Sequence, residues 1–272
     1  MQAGKILFVD LDATLLSDDK TVSKGNRHAI RKALDQGNYV VVATGRPVES
    51  GRIVVKELGL TMPGCYMIAF NGSVLYDCSA DRVLYNKTVP IHYVYQLFEK
   101  ARQAGIYIQT YNQMEVLTEK HSKELDYYTE HSKMRYKLLP DVVAGLEEEP
   151  HKVLLISLED QKLLEDFEQE NAAWAEGKLN SFFSSTKYLE YCPAGVSKGM
   201  AIEYLCNFLN IPIENTIAVG DERNDISMIK AAHIGIAVQN AVDAAKEAAD
   251  DITENDNNHD AIAEVIGKYI LL

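Results

Sequence analysis

Residues 5–16, KILFVDLDATLL, decide how the rest of the chain is read. Lys5–Val9 is a continuous β-branched and aromatic run, as expected of a strand buried on both faces. The run ends in acid, at Asp10 and Asp12. In an open parallel sheet, ligands bind at the carboxyl ends of strands. Two carboxylates one residue apart can point into the same crevice there, with Leu11 turned away. Unpaired, they would repel and raise each other's pKa, and a bound cation relieves that. The plain alternative is a solvated acidic turn.

Outward from this strand, short apolar runs alternate with amphipathic stretches. Asn26–Gln36 has apolar residues at Ala29, Ile30, Ala33 and Leu34, which is helical spacing, and Gly37 ends the helix. Tyr39–Ala43 (YVVVA) reads as a second buried strand, Pro47 opens a helix to about Leu58, and Tyr66–Phe70 (YMIAF) reads as a third strand. The pattern resumes late in the chain. Helices are expected at Lys198–Leu209, Asp225–Ala232, Val242–Ala249 and Asp260–Ile270, with strands at Thr216–Val219 and Ile234–Val238. Fully apolar strands alternating with helices predict a Rossmann-like α/β core, a doubly wound parallel sheet covered on both faces.

The middle differs. Ile106–Thr110, Glu115–Thr118, Val153–Leu158 and Tyr188–Tyr191 read as strands with polar alternation, and Ile91–Gln103 and Gln161–Trp174 as long helices. Alternation predicts a sheet with one wet face. We read residues 86–191 as an α+β domain inserted into a core made of 1–85 and 192–272.

At 272 residues, 47% hydrophobic and 25% charged, the chain has the composition of a globular protein of ordinary domains. A net charge of −13 disfavours nucleic acid or an anionic membrane as partner. The N-terminal residues have no apolar core of signal-peptide length, and no stretch approaches a membrane span, so a cytoplasmic location is expected. Cys65, Cys78, Cys192 and Cys206 form no CxxC pair, and neither a disulfide framework nor a zinc site is expected. An acidic protein that handles phosphate must concentrate positive charge locally, from a metal ion or a few basic side chains.

Three more segments bear on where. Thr44-Gly45-Arg46-Pro47 ends the second strand and offers backbone N–H groups and a hydroxyl to a phosphoryl oxygen, or is an ordinary helix cap. Ser197-Lys198-Gly199 opens a helix, and its lysine is either poised or merely solvated. Gly220-Asp221-Glu222-Arg223-Asn224-Asp225 follows a strand, as a metal site or an acidic cap. All lie at strand ends or helix starts.

In this order the segments resemble the haloacid dehalogenase superfamily, specifically its Cof-type (YidA-like) phosphatases. Those carry DxDGTLL, TGRP, an NG after the third strand, a lysine before the last core helices, and GDxxND. This chain has DLDATLL, TGRP, Asn71-Gly72, Lys198 and GDERND, so the resemblance covers the whole chain. It implies Asp10 as nucleophile toward phosphorus and Asp12 as acid, then base. It implies Mg²⁺ held by Asp10, the backbone carbonyl of Asp12, and Asp221, with Glu222 or Asp225 in support. Leu11, Thr44, Gly45, Arg46, Asn71, Lys198 and Asn224 would surround the phosphoryl group. The inserted domain would be the family's α/β cap, and the substrate a small phosphorylated metabolite, with sugar phosphates as the expected class. No nucleic-acid or membrane partner is expected, and the assembly would be a monomer or weak homodimer.

Two rivals share these parts: a phosphosugar mutase, which returns the phosphoryl group to the sugar, and a phospho-accepting signalling domain. The latter places its acceptor aspartate after the third strand and lacks an inserted domain. One position departs from the family. Ala13 stands where glycine is usual. We expect it in a turn at φ < 0, with the Asp12 carboxylate aimed above the Asp10 oxygens.

Overall fold

Strands form where apolar runs can be covered on both sides. The computed structural model describes residues 4–112 and 114–271. The leading segment forms β1 (Ile6–Asp10), β2 (Tyr39–Ala43), β3 (Cys65–Ala69), β4 (Val74–Asp77) and β5 (Arg82–Asn86). The central segment supplies β6 (Tyr107–Tyr111), β7 (Glu115–Thr118), β8 (Arg135–Leu138), β9 (Val153–Ile156), β10 (Leu179–Ser185) and β11 (Tyr188–Pro193), and the last adds β12 (Thr216–Gly220), β13 (Ile234–Ala237) and β14 (Asp251–Ile252). The helices are α1 (Lys24–Asp35), α2 (Val48–Glu57), α3 (Ile91–Ala104), α4 (Lys123–Ser132), α5 (Gln161–Ala175), α6 (Lys198–Leu209), α7 (Ile226–Ala231), α8 (Asp243–Ala248) and α9 (Ala261–Tyr269).

The chain divides into two compact units. The first runs through Arg46, resumes at Gly51–Asn86 and again from Ser197, and the second holds Pro47–Ser50 and Lys87–Val196. The expected boundary at Tyr191 would cut β11, which continues to Pro193.

The first unit is an eight-stranded sheet in the order β14-β13-β12-β1-β2-β3-β4-β5. It is parallel from β14 to β3, and β4 and β5 run antiparallel as a hairpin. Ile6, Phe8, Val41, Ala43 and Ala218 pack with Ala201, Ile202 and Leu205 of α6 and Met228 of α7. Their neighbours Leu7, Val9, Val40 and Val42 are equally buried, as a sheet covered on both faces requires. The β4–β5 hairpin was not read from the sequence. β5 is an edge strand whose residues are exposed or half-buried, so its pattern carries little hydrophobic signal.

The second unit holds a six-stranded sheet, β10-β11-β9-β6-β7-β8. Val94, Leu97 and Phe98 of α3 and Leu164 and Phe167 of α5 bury one face with Ile108, Val153, Leu155 and Leu189. The other face is not wet, contrary to expectation: every residue of β6 and β9 is buried. Its polar groups satisfy one another. Tyr107 donates to Gln109, which donates to Tyr111 at 2.7 Å, and Lys152 pairs with Glu190 at 3.0 Å. Alternation reports that two faces differ chemically, and a satisfied polar face can still be covered. Here Leu125 and Tyr128 of α4 are buried, and Tyr128 lies 6.0 Å from the Tyr111 ring.

Helix α6 is placed by close backbone contact. A Cβ on Gly199 would stand 2.3 Å from the Ser227 carbonyl oxygen of α7, and a Cβ on Gly72 would stand 2.3 Å from that of Ser197. Alanine is the better helix former, so Gly199→Ala isolates the packing effect. It is expected to lower unfolding stability by about 1–3 kcal/mol in a denaturant titration. An unchanged or raised midpoint would show that α6 and α7 separate at no cost.

Candidate active site

The parallel register assembles the site. Val9 of β1 stands beside Val219 of β12, and Asp10 beside Ala43 of β2. The residues that follow each strand, Thr44 and Asp221, therefore emerge on either side of Asp10. Asp221 and Asp225 leave β12 through a 3₁₀ turn at Arg223–Asp225. Lys198 enters from the first position of α6, whose start is capped by Ser197 accepting the Met200 N–H at 3.1 Å.

The side chains converge in a buried cluster. Ligand oxygens of Asp10, Asp221 and Asp225 all lie within 4.8 Å of one another. The Lys198 ammonium bridges Asp10 Oδ1 and Asp225 Oδ1, each at 2.5 Å. Asp225 Oδ2 accepts the Asp221 and Glu222 backbone N–H groups, both at 3.1 Å, so both its oxygens are engaged. Asp221 Oδ1 accepts the Thr14 hydroxyl at 2.8 Å. Three carboxylates thus face one ammonium out of water. Burial first, then repulsion from Asp225, raises the Asp10 carboxyl well above its ordinary value. The same two causes push Asp221 from 3.8 up to about 7. Burial opposes the Lys198 charge, but Asp10 and Asp225 outweigh it and hold the ammonium above its usual pKa.

Such a cluster fits a hard divalent cation, because its donors are all oxygens and its negative charge is uncompensated. Asp10 and Asp221 would hold the ion, with Asp225 orienting Lys198 and the turn. Glu222 stands apart from this group. Its carboxylate accepts the Arg223 N–H at 3.1 Å and caps the 3₁₀ turn.

The Asp12 carboxylate also stands outside the cluster. Expected above the Asp10 oxygens, it is paired with two cations, receiving Arg46 Nη2 at 2.6 Å and Nε at 2.8 Å, and Lys20 at 3.1 Å. Burial pushes its pKa up, but these cations prevail and hold it below the usual value. Arg46, grouped with the phosphate ligands, pairs with Asp12 here. Leu11, also grouped with them, donates its N–H to the Ala43 carbonyl at 3.1 Å, and its side chain is fully buried. Thr44 is buried, with Oγ1 accepting the Arg46 N–H at 3.1 Å. Asn71 accepts from Asn224 Nδ2 at 3.0 Å and donates its N–H to Thr44 O at 3.1 Å. A Cβ on Gly45 would lie 3.1 Å from the Asn71 amide. Thr44, Gly45, Asn71 and Asn224 therefore form one connected group.

The expectation for Ala13 is overturned, since it sits at φ 59, in the left-handed region. The chain reverses at once after β1, with Leu15 N–H returning to Asp10 O at 3.2 Å and Leu16 N–H to Leu11 O at 2.9 Å. A reversal this tight places one residue at positive φ. Thr14 was also missed as a site residue. Only proximity to Asp221, which is 207 positions away, reveals it.

The model of the haloacid dehalogenase-like hydrolases matches residues 7–266, and the chain belongs to that family. It is 30% identical over 270 residues to the 5-amino-6-(5-phospho-D-ribitylamino)uracil phosphatase YcsE of Bacillus subtilis (strain 168), covering 98% of this chain and 96% of that protein. It is 28% identical over 278 residues to the pyridoxal phosphate phosphatase YbhA of Escherichia coli (strain K12), with 98% and 99% covered. A crystal structure of a haloacid dehalogenase-like hydrolase from Bacteroides thetaiotaomicron matches with a TM-score of 0.87 at 31% identity, over 97% of this chain and 99% of that one. The protein is a phosphatase of the haloacid dehalogenase type.

The cluster has a consequence for stability. Asp221 titrates near 7 when folded against 3.8 as its ordinary value, so the folded state binds this proton more tightly. Metal-free stability is then expected to fall as pH rises from about 4 to about 7, the reverse of a salt-bridged carboxylate. Thermal melts with and without Mg²⁺ check this. The Mg²⁺-induced rise in Tm should be larger near pH 8 than near pH 5, and equal rises would remove the cluster as the binding site.

Proposed function

We propose that the protein hydrolyses small phosphate monoesters, sugar phosphates foremost, through a phospho-aspartate formed on Asp10, with Mg²⁺ as cofactor. The observation that carries this reading is the buried Asp10–Lys198–Asp225 bridge at the strand ends. Lys198 holds Asp10 Oδ1 in one orientation and offsets the repulsion between an anionic nucleophile and an anionic ester. A cation bound by Asp10 and Asp221 would neutralise charge building on the phosphoryl oxygens.

Asp10 attacks phosphorus and the ester P–O bond breaks, leaving the phosphoryl group on the carboxylate. The departing oxygen takes a proton from Asp12. Asp12 then removes a proton from water, whose oxygen attacks the acyl phosphate to release inorganic phosphate and restore Asp10. With its carboxylate on Arg46 and Lys20, Asp12 is in the form suited to the base step. Acting as acid requires Asp12 to leave those cations and first take up a proton, from solvent or from the monoanionic form of the bound ester. Thr44 and the Asn71–Asn224 pair would orient the phosphoryl group. Residues 87–196 are then the cap that selects the ester, which relatives named for pyridoxal phosphate and a phosphoribitylamino-uracil show can differ widely.

A net charge of −13 supports a small metabolite over nucleic acid or an anionic membrane. We place the protein in the cytoplasm as a monomer or weak homodimer. The test is phosphate release across a panel of hexose, pentose, nucleotide and vitamin-precursor phosphates, with Mg²⁺ or with chelator. Asp10→Asn keeps the side chain's size and is expected to lower kcat to well under about a tenth of the parent value. Retention of a tenth or more, or full activity in chelator, would sink the mechanism. A hexose 1-phosphate converted to hexose 6-phosphate without free phosphate would instead establish a mutase.

A further inference from the structure

Ala13 occupies a conformation that disfavours any side chain, and such residues persist only where their surroundings over-determine them. The restraint comes from two asparagines far along the chain. Asn240, just after β13, donates Nδ2 to the Ala13 carbonyl at 2.8 Å. Its Oδ1 accepts the Asn257 N–H at 3.0 Å. Asn257, only 3% exposed, donates Nδ2 to the Leu16 carbonyl and to Asp18 Oδ1, both at 3.1 Å. The turn after β1 is thus gripped at carbonyls on both sides of Thr14. Ala13 has Asp12, paired with Arg46, on one side and Thr14, bonded to Asp221, on the other. The orientation of the Ala13 peptide therefore aims two groups of the site at once.

We propose that Asn240 is a positioning residue whose side-chain amide holds Ala13 left-handed and thereby keeps Asp12 at its place on Arg46, the resting position from which it enters proton transfer. The inference rests on Asp12 being the acid and base of the proposed reaction. Asn240 touches no reacting atom; it acts through the Ala13 carbonyl. The arrangement also accounts for an alanine standing where the family has glycine. Glycine adopts positive φ unaided, whereas alanine needs the conformation fixed from outside.

A double-mutant cycle tests this, with Asn240→Ala made in the parent and in the Ala13→Gly protein. In the parent, Asn240→Ala is expected to lower kcat about tenfold while KM stays within about twofold, because aim is lost and ground-state binding is not. In the Ala13→Gly background the same change is expected to cost less than about threefold, since glycine keeps the turn without help. Asn240→Asp, which retains the acceptor for Asn257 but removes the donor, should behave like Asn240→Ala. Equal losses in both backgrounds, or a loss confined to KM, would overturn the proposal. Crystal structures of the same variants read the geometry without reference to turnover. In Asn240→Ala the Ala13 peptide is expected to rotate away from positive φ and Asp12 to leave Arg46, with both retained in the double variant. An Ala13 still at positive φ with Asp12 on Arg46 would refute the positioning role even in a protein inactive on every ester tried. Rotated geometry with undiminished turnover would instead remove Asp12 from the reaction, and the proposal with it.

Discussion

Three carboxylates cannot share a buried space without a cation, and the site is arranged around the one that the chain supplies. The Lys198 ammonium touches Asp10 and Asp225 at 2.5 Å each, and both contacts are out of water. Burying a charged group is costly unless it is paired and hydrogen-bonded, and this pairing is close to complete for Lys198 and Asp225. It is incomplete for Asp10 and Asp221, whose raised pKa values record the shortfall. The remaining negative charge is the physical reason this cluster suits a divalent ion.

That ammonium is placed by absences of side chains. Gly199 lets α6 approach the Ser227 carbonyl, Gly72 lets the preceding residue approach the β3 turn, and Gly220 leaves room for Asp225, whose Cβ lies 2.4 Å from where a Cβ on that glycine would stand. The first two contacts are with backbone, so the helix bearing Lys198 has little freedom to slide along the sheet. The catalytic geometry and the packing of the first unit are in this sense one feature.

The turn after β1 follows a different logic. Its demands are a tight reversal and two aimed side chains, and it meets them with an alanine at positive φ held by remote asparagines. Asp12 rests on Arg46 and Lys20, which hold it ionised. In the proposed reaction a leaving oxygen competes with those cations, and Asp12 takes up a proton before it can give one.

The sequence by itself determined the class of fold and named most of the residues that the structure brings together at the strand ends. Buried parallel strands must be apolar throughout, so β1, β2, β3 and β12 announce themselves, and acids directly after them stand out against that background. Asp10, Asp221 and Asp225 were legible for this reason, and Lys198 through the resemblance carried by the ordered segments. Strands that are exposed or polar, such as β5 and β8, were not, because periodicity reports burial and they have little of it. The buried polar face of the second unit was misread as wet, since pattern cannot tell a solvated polar group from one satisfied by neighbours. Only the tertiary structure decided which cations Asp12 meets, that Ala13 lies at positive φ, that Thr14 bonds Asp221, and that Asn240 and Asn257 bond the turn after β1. Asp12 depends on Arg46, 34 residues away, and the others on hydrogen bonds between segments more than two hundred residues apart, and a local pattern carries no record of what a side chain meets across space.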